Sequence, residues 1–181
     1  MWSPERRTRH RWIPFAAVAA ASLALAGCFR PLYGPTASGA SLRDLLAAIE
    51  VDKVASPDGQ ERLGHYVRSE LVYDLDGSGI PSQKRYKLSL ETAENIQPIS
   101  VDSVTGRADA ALLNGTVKFT LTGLDGRTIV YAGTARANAT YYRDQQRFAS
   151  VRAARDADIR VAKLIAEDIK QRLAAHLSTT P

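Results

Sequence analysis

A chain of 181 residues with 45% apolar residues, 24% charged residues and one cysteine has the composition of an ordinary globular protein. It excludes a disordered chain, an integral membrane protein, an internal disulfide and any cysteine-based metal cluster. The formal charge of +5 is concentrated early: residues 1–27 carry Arg6, Arg7, Arg9 and Arg11 against Glu5, which leaves 20 basic and 18 acidic groups, about +2, on the remainder. So weak a net field does not steer a polyanion, so no nucleic acid partner is expected, and any anion binding must rest on a local patch.

In chain order, Arg6 to Arg11 form a basic leader and Trp12 to Ala26 an apolar stretch broken by Pro14. That stretch is too short to span a bilayer comfortably and has the form of a secretory signal. It ends in Leu25-Ala26-Gly27-Cys28, which resembles the lipobox of bacterial lipoproteins in spacing, in its small residues and in its lone cysteine. The resemblance implies that residues 1–27 are a signal peptide and that Cys28 becomes the N-terminus, carrying S-diacylglycerol and N-palmitoyl chains. At about 0.8 kcal/mol per buried methylene, such an anchor is effectively permanent. In better-studied lipoproteins an Asp after the cysteine retains the protein in the inner membrane; the residue here is Phe29, which implies delivery to the outer membrane.

Residues 28–40 hold Pro31 and Pro35 and small polar residues, so an extended tether is expected. A single domain then occupies 41–178. Leu46 to Val54 reads as a strand with Ala47, Ile49 and Val51 on one face, and Ser56-Pro57-Asp58-Gly59 as a turn. Gln60 to Leu75 has Leu63, Val67, Leu71 and Leu75 on one stripe, the spacing of an amphipathic helix.

Three segments then alternate with period two: Arg85 to Ile96, Ala110 to Thr122 and Arg127 to Tyr142. Each predicts a strand with one covered and one wet face. Asp125-Gly126 between the last two is a hairpin signal, whereas 97–109, with Pro98 and Gly106, reads as a mobile loop or an extended hairpin tip. Phe148 to Leu177 lacks Gly and Pro and repeats Val151, Ala154, Val161, Ile165, Ile169, Leu173 and Leu177, predicting one long helix. The order β-α-β-β-β-α predicts an α+β fold: a four-stranded, mostly antiparallel sheet with two helices packed on one face.

Chemistry of the catalytic kind is not expected. His65 and His176 both fall inside predicted helices, no nucleophile elbow, zinc motif or phosphate loop is present, and no cofactor or metal is implied. Asp156 and Asp158, two apart on a helix, are expected to point in different directions into solvent. A binding surface remains. Lys118 and Arg136 fall on the polar face of their strands, with Arg107 in the preceding loop and Arg127 at the hairpin tip. They either form a basic strip able to meet phosphates or are solubilising charges.

In order, the lipobox, Phe29-Arg30-Pro31-Leu32-Tyr33-Gly34, Thr105-Gly106-Arg107, Ala139-Thr140-Tyr141-Tyr142 and Leu164-Ile165-Ala166-Glu167-Asp168-Ile169 resemble the LPS-assembly lipoprotein LptE family, in its alphaproteobacterial form. The resemblance implies an outer-membrane lipoprotein without enzymatic activity, facing the periplasm. It implies a plug within the β-barrel LptD in a 1:1 complex, which assists barrel assembly and delivery of lipopolysaccharide to the outer leaflet. It also implies direct lipopolysaccharide binding, for which Arg107, Lys118 and Arg127 are the candidates. The alternative is an auxiliary lipoprotein of an ABC-type lipid transporter. A lipid-anchored enzyme would require a reactive constellation that the sequence does not display.

Overall fold

The computed structural model describes residues 41–77, 82–101, 103, 106, 108–143 and 146–179; the signal 1–27, Cys28 and the tether 28–40 lie outside them. The first element departs from expectation. Leu42 and Leu46 are four apart and both buried, and Ser41 caps them by accepting the Asp44 amide on its hydroxyl at 3.1 Å, so Leu42–Ala47 is a short helix, α1. The strand β1 therefore starts later, at Ile49, and runs to Ala55. Leu46 looked strand-like beside Ala47 and Ile49, but its helical partner Leu42 lies upstream of the alternating run.

Helix α2 spans Glu61–Asp76 and buries Leu63, Val67, Leu71 and Leu75, the stripe predicted from spacing. Strands β2 (Tyr86–Val101), β3 (Ala108–Gly123) and β4 (Ile129–Tyr142) follow, then helix α3, Arg147–Thr179. The sheet order is β1-β2-β3-β4, with β1 parallel to β2 and the other pairs antiparallel. The α+β fold and the four-stranded sheet match the sequence reading, with α1 as an additional third helix.

One sheet face carries Leu88 and Leu90 of β2, Leu113, Val117, Phe119 and Leu121 of β3 and Ala135 and Ala139 of β4, all buried. Helix α2 lies over β1 and β2, and α3 over β3 and β4. Small residues set the spacing: Ala157, Ala162, Ala166 and Ala174 of α3 are fully covered, and a Cβ on Gly115 would sit 2.5 Å from Val161 Cγ1. A larger residue at Gly115 fits only if the Val161 side chain or the helix gives way.

Strand β2 runs beyond the layer that covers it, whereas its partner β3 stays buried as far as Ala110. Each strand has 16 residues, about 54 Å at roughly 3.4 Å per residue, yet β2 is exposed from Asn95 onward. Of the two readings of 97–109, the extended hairpin tip holds for its first part, where strand continues through Pro98 to Val101. The register shifts between Pro98 and Ser100, and a bulge is a place where a strand tolerates a proline.

Helix arginines occupy two carbonyls on each of the edge strands β1 and β4. On β1, Arg68 of α2 donates Nε to the Asp52 carbonyl at 3.2 Å and Nη2 to that of Val51 at 3.4 Å. On β4, Arg160 Nη2 reaches the Thr140 carbonyl at 3.0 Å and Arg172 Nη1 that of Thr134 at 3.3 Å. Occupying edge carbonyls blocks pairing with another strand.

Candidate functional surface

The sheet face turned away from the helices is polar. Register places Asn95, Asn114 and Asn138 in one row across β2, β3 and β4, Ala93, Thr116 and Arg136 in the next, and Glu91, Lys118 and Thr134 in the third. Period-two alternation produces this, because each residue that points into the core sends its neighbours outward. Lys118 is exposed mid-face, opposite Glu91 in the register of one neighbouring strand and Thr134 in that of the other.

Arg127 belongs to a different locality. It follows Gly126, which takes the left-handed φ of 65° in the β3–β4 turn. Asp125 holds that turn by accepting the amides of Arg127 at 3.2 Å and Thr128 at 3.3 Å and the Thr128 hydroxyl at 2.8 Å. These bonds, led by the Thr128 hydroxyl, hold the Asp125 carboxyl below its ordinary range. Arg107 lies outside the described residues. Lys118 sits in the middle of β3 and Arg127 beyond its end at Gly123, so these two candidates do not converge on one point.

Three features were not legible in sequence. The first is an apolar fringe where β2 overhangs: Ile96, Ile99, Val101, Tyr142, Phe148 and Val151 are all exposed. The second is a polar seam under that overhang. Gln60 Oε1 accepts the Glu94 amide at 3.0 Å, the hydroxyls of Ser56 and Thr92 meet at 2.7 Å, and Arg62 Nε stands 2.7 Å from Asp158 Oδ2.

Asp158 corrects the sequence reading that both aspartates of α3 are solvated, since its side chain is 3% exposed while Asp156 is open and paired with Arg160. Burial pushes the Asp158 carboxyl up, and the Arg62 guanidinium pulls it only partly back. Glu94 is also raised, by burial first and then by Asp158, and its Oε2 receives no hydrogen bond among the described residues. The third feature is a basic groove beside β1, treated below.

Among the described residues no group of three or more His, Cys, Asp or Glu is placed to hold a metal ion. His65 is exposed on α2, and His176 stacks on Tyr131 with ring centroids 4.7 Å apart.

With the sheet, its covering helices and its polar face in view, the comparison with known families decides the assignment. The sequence model of LptE, described as lipopolysaccharide-assembly, matches residues 46–173. The chain belongs to the LptE family.

The LptE match runs from the end of α1 through most of α3, and so covers all four strands. Among solved structures, a candidate lipoprotein of Caulobacter crescentus CB15 is similar at 24% identity and a TM-score of 0.58, over 77% of this chain and 98% of that one. A minor lipoprotein of Acinetobacter baumannii is similar at 18% identity and a TM-score of 0.50, over 75% and 98%. At these identities both support the fold. No curated protein sequence matches the chain. Membership in the LptE family gives it a role in lipopolysaccharide assembly, the work of a lipoprotein and not of an enzyme. No helix among the described residues is long and apolar enough to cross a membrane.

Proposed function

We propose that this LptE-family chain is an outer-membrane lipoprotein that plugs the β-barrel LptD in a 1:1 complex, assists its assembly and helps deliver lipopolysaccharide to the outer leaflet. In this reading residues 1–27 are removed, Cys28 carries the diacylglycerol and palmitoyl chains, residues 28–40 are the tether, and 41–178 form the domain that enters the barrel from the periplasmic side.

The observation that carries the reading is the open sheet face. Its rows of Asn, Thr, Lys and Arg are left uncovered by α2 and α3 among the described residues, and a polar barrel lumen is the kind of surface such a face complements. Arg107, Lys118 and Arg127 are the candidates for contact with the phosphates of lipopolysaccharide. Because Lys118 lies within β3 and Arg127 beyond its end, these two would meet separate parts of an extended ligand.

The test is extraction of the C-terminally tagged protein from its native membrane in mild detergent, followed by mass spectrometry of its companions. A stoichiometric LptD-type barrel supports the reading. Recovery with an inner-membrane permease would favour an ABC-type transporter role instead, and recovery alone would remove the plug. For the ligand, Lys118→Ala and Arg127→Ala should each weaken lipopolysaccharide binding; unchanged affinity removes that residue from the surface.

A further inference from the structure

Between the C-terminal half of β1 and the first turns of α2 lies an open groove of about 510 Å³, lined by Lys53, Val54, Ser56, Gly64, His65 and Arg68, with Glu61 at its rim. A cavity of this size accommodates a small ligand. Three observations give it a chemical character.

The first is the β-bulge. The register of β1 against β2 shifts between Val51 and Val54, and the bulge re-aims the residue it frees, here Lys53. Val54 takes the inward position that strict alternation would have given to Lys53, and Lys53 is left exposed along the groove.

The second observation is that, among the described residues, neither Lys53 nor Arg68 is tied up in an ion pair within 4 Å, with Glu61 the one carboxylate in the lining. Asp52, the nearest carboxylate in sequence, accepts the Lys53 backbone amide on Oδ1 at 2.8 Å, and its Oδ2 lies 3.1 Å from Lys87 Nζ. These contacts, led by the Lys53 amide, hold the Asp52 carboxyl below its ordinary range. Glu61 accepts the Gly59 amide at 3.0 Å. Among the described residues the Lys53 ammonium makes no ion pair within 4 Å.

The third is preorganisation. Arg68 is fixed by the carbonyls of Val51 and Asp52 through Nε and Nη2, which leaves Nη1 for another acceptor, and a guanidinium held in one orientation loses little entropy on binding. The floor is shaped by Gly64, where a Cβ would fall 2.5 Å from Ser56 Oγ. The helix thus lies so close to β1 that Lys53, His65 and Arg68 rim one cleft.

We propose that this groove binds a phosphate-class anion, with Lys53 and Arg68 supplying charge and donors and His65 a further ring N–H. The site is separate from the open sheet face and does not rest on the barrel or lipopolysaccharide reading. The same chemistry fits a free phosphate or the headgroup of an anionic lipid, and the experiment distinguishes them.

Backbone and histidine resonances of the mature protein are followed as pyrophosphate is added at low salt, and separately as vesicles of phosphatidylcholine with and without phosphatidylglycerol are added. Saturable shifts at Lys53, His65 and Arg68 with pyrophosphate support a soluble phosphate. The same shifts produced only by vesicles containing phosphatidylglycerol support a headgroup.

Lys53→Gln, at an exposed side chain that makes no ion pair within 4 Å among the described residues, should weaken either response at least about tenfold, the loss expected for one charged hydrogen bond. Lys163→Gln, which removes an exposed charge from α3, should leave the response intact. Three results would overturn the proposal: no saturable shift with either probe, shifts insensitive to Lys53→Gln, or equal weakening by Lys163→Gln.

Discussion

Replacing Arg62 by Met removes the cation from the seam and leaves the buried Asp158 carboxyl and the half-buried Glu94, which act on one another electrostatically, without it. Breaking a fully buried pair by deleting one partner costs about 3–5 kcal/mol. Arg62 is half exposed while Asp158 is 3% exposed, so water already screens one side, and a loss of about 2 kcal/mol is the expected magnitude. For a domain of this length that corresponds to a drop in Tm of roughly 4–8 °C.

The pH dependence has a definite sign. Both carboxyls are raised in the folded chain, by burial foremost, so the folded state holds their protons more tightly than the unfolded state does. Their penalty is fully present above the raised folded values. It fades as pH falls towards the ordinary carboxylate range of about 4. Losing Arg62 raises both carboxyls further, so the Arg62→Met deficit should be largest at neutral pH and shrink at acid pH. Adding Glu94→Gln should recover part of it at neutral pH. Thermal unfolding followed by circular dichroism across pH 4 to 8 measures this. A deficit that is constant over that span, or a double variant no better than Arg62→Met, would refute the argument.

Further outcomes follow from other contacts. Gly115→Ala should destabilise the fold by about 1–3 kcal/mol through overpacking, because its Cβ would meet Val161 Cγ1 at 2.5 Å; urea unfolding of Gly115→Ala with and without Val161→Ala should show partial rescue. Arg160→Ala with Arg172→Ala uncaps the Thr140 and Thr134 carbonyls on the free edge of β4. Exposed ion pairs contribute little to stability, so the expected effect is concentration-dependent self-association in sedimentation velocity with little change in Tm. Phe119→Ala empties a fully buried position packed against Tyr131 and should cost about 3–5 kcal/mol in the same urea assay.

The elements of this protein were legible from their periods. The leucine stripe of α2, the alternation of β3 and β4 and the uninterrupted run of α3 each report which side of an element must leave water, a local property that needs no partner. The polar face of the sheet was legible for the same reason, and with it Lys118 and Arg136 as outward residues. Leucines at 42 and 46 were less clear, since two apolar residues without a longer repeat fit a strand end as well as a helix.

Only the tertiary structure decided the rest. Asp158 carries the same charge as Asp156, and the sequence does not distinguish them. Which of the two is buried depends on where α3 meets α2, and Arg62 is what makes that burial tolerable. The continuation of β2 through Pro98 depends on β3 being there to pair with, since a bulge accommodates a proline only within a ladder. The groove beside β1 exists because a register shift turns Lys53 outward and Gly64 admits the helix, bringing Lys53 of β1 together with His65 and Arg68 of α2. Period fixes the faces of single elements; contacts between elements fix which charges are buried, which edge carbonyls are occupied and which cations share one cleft.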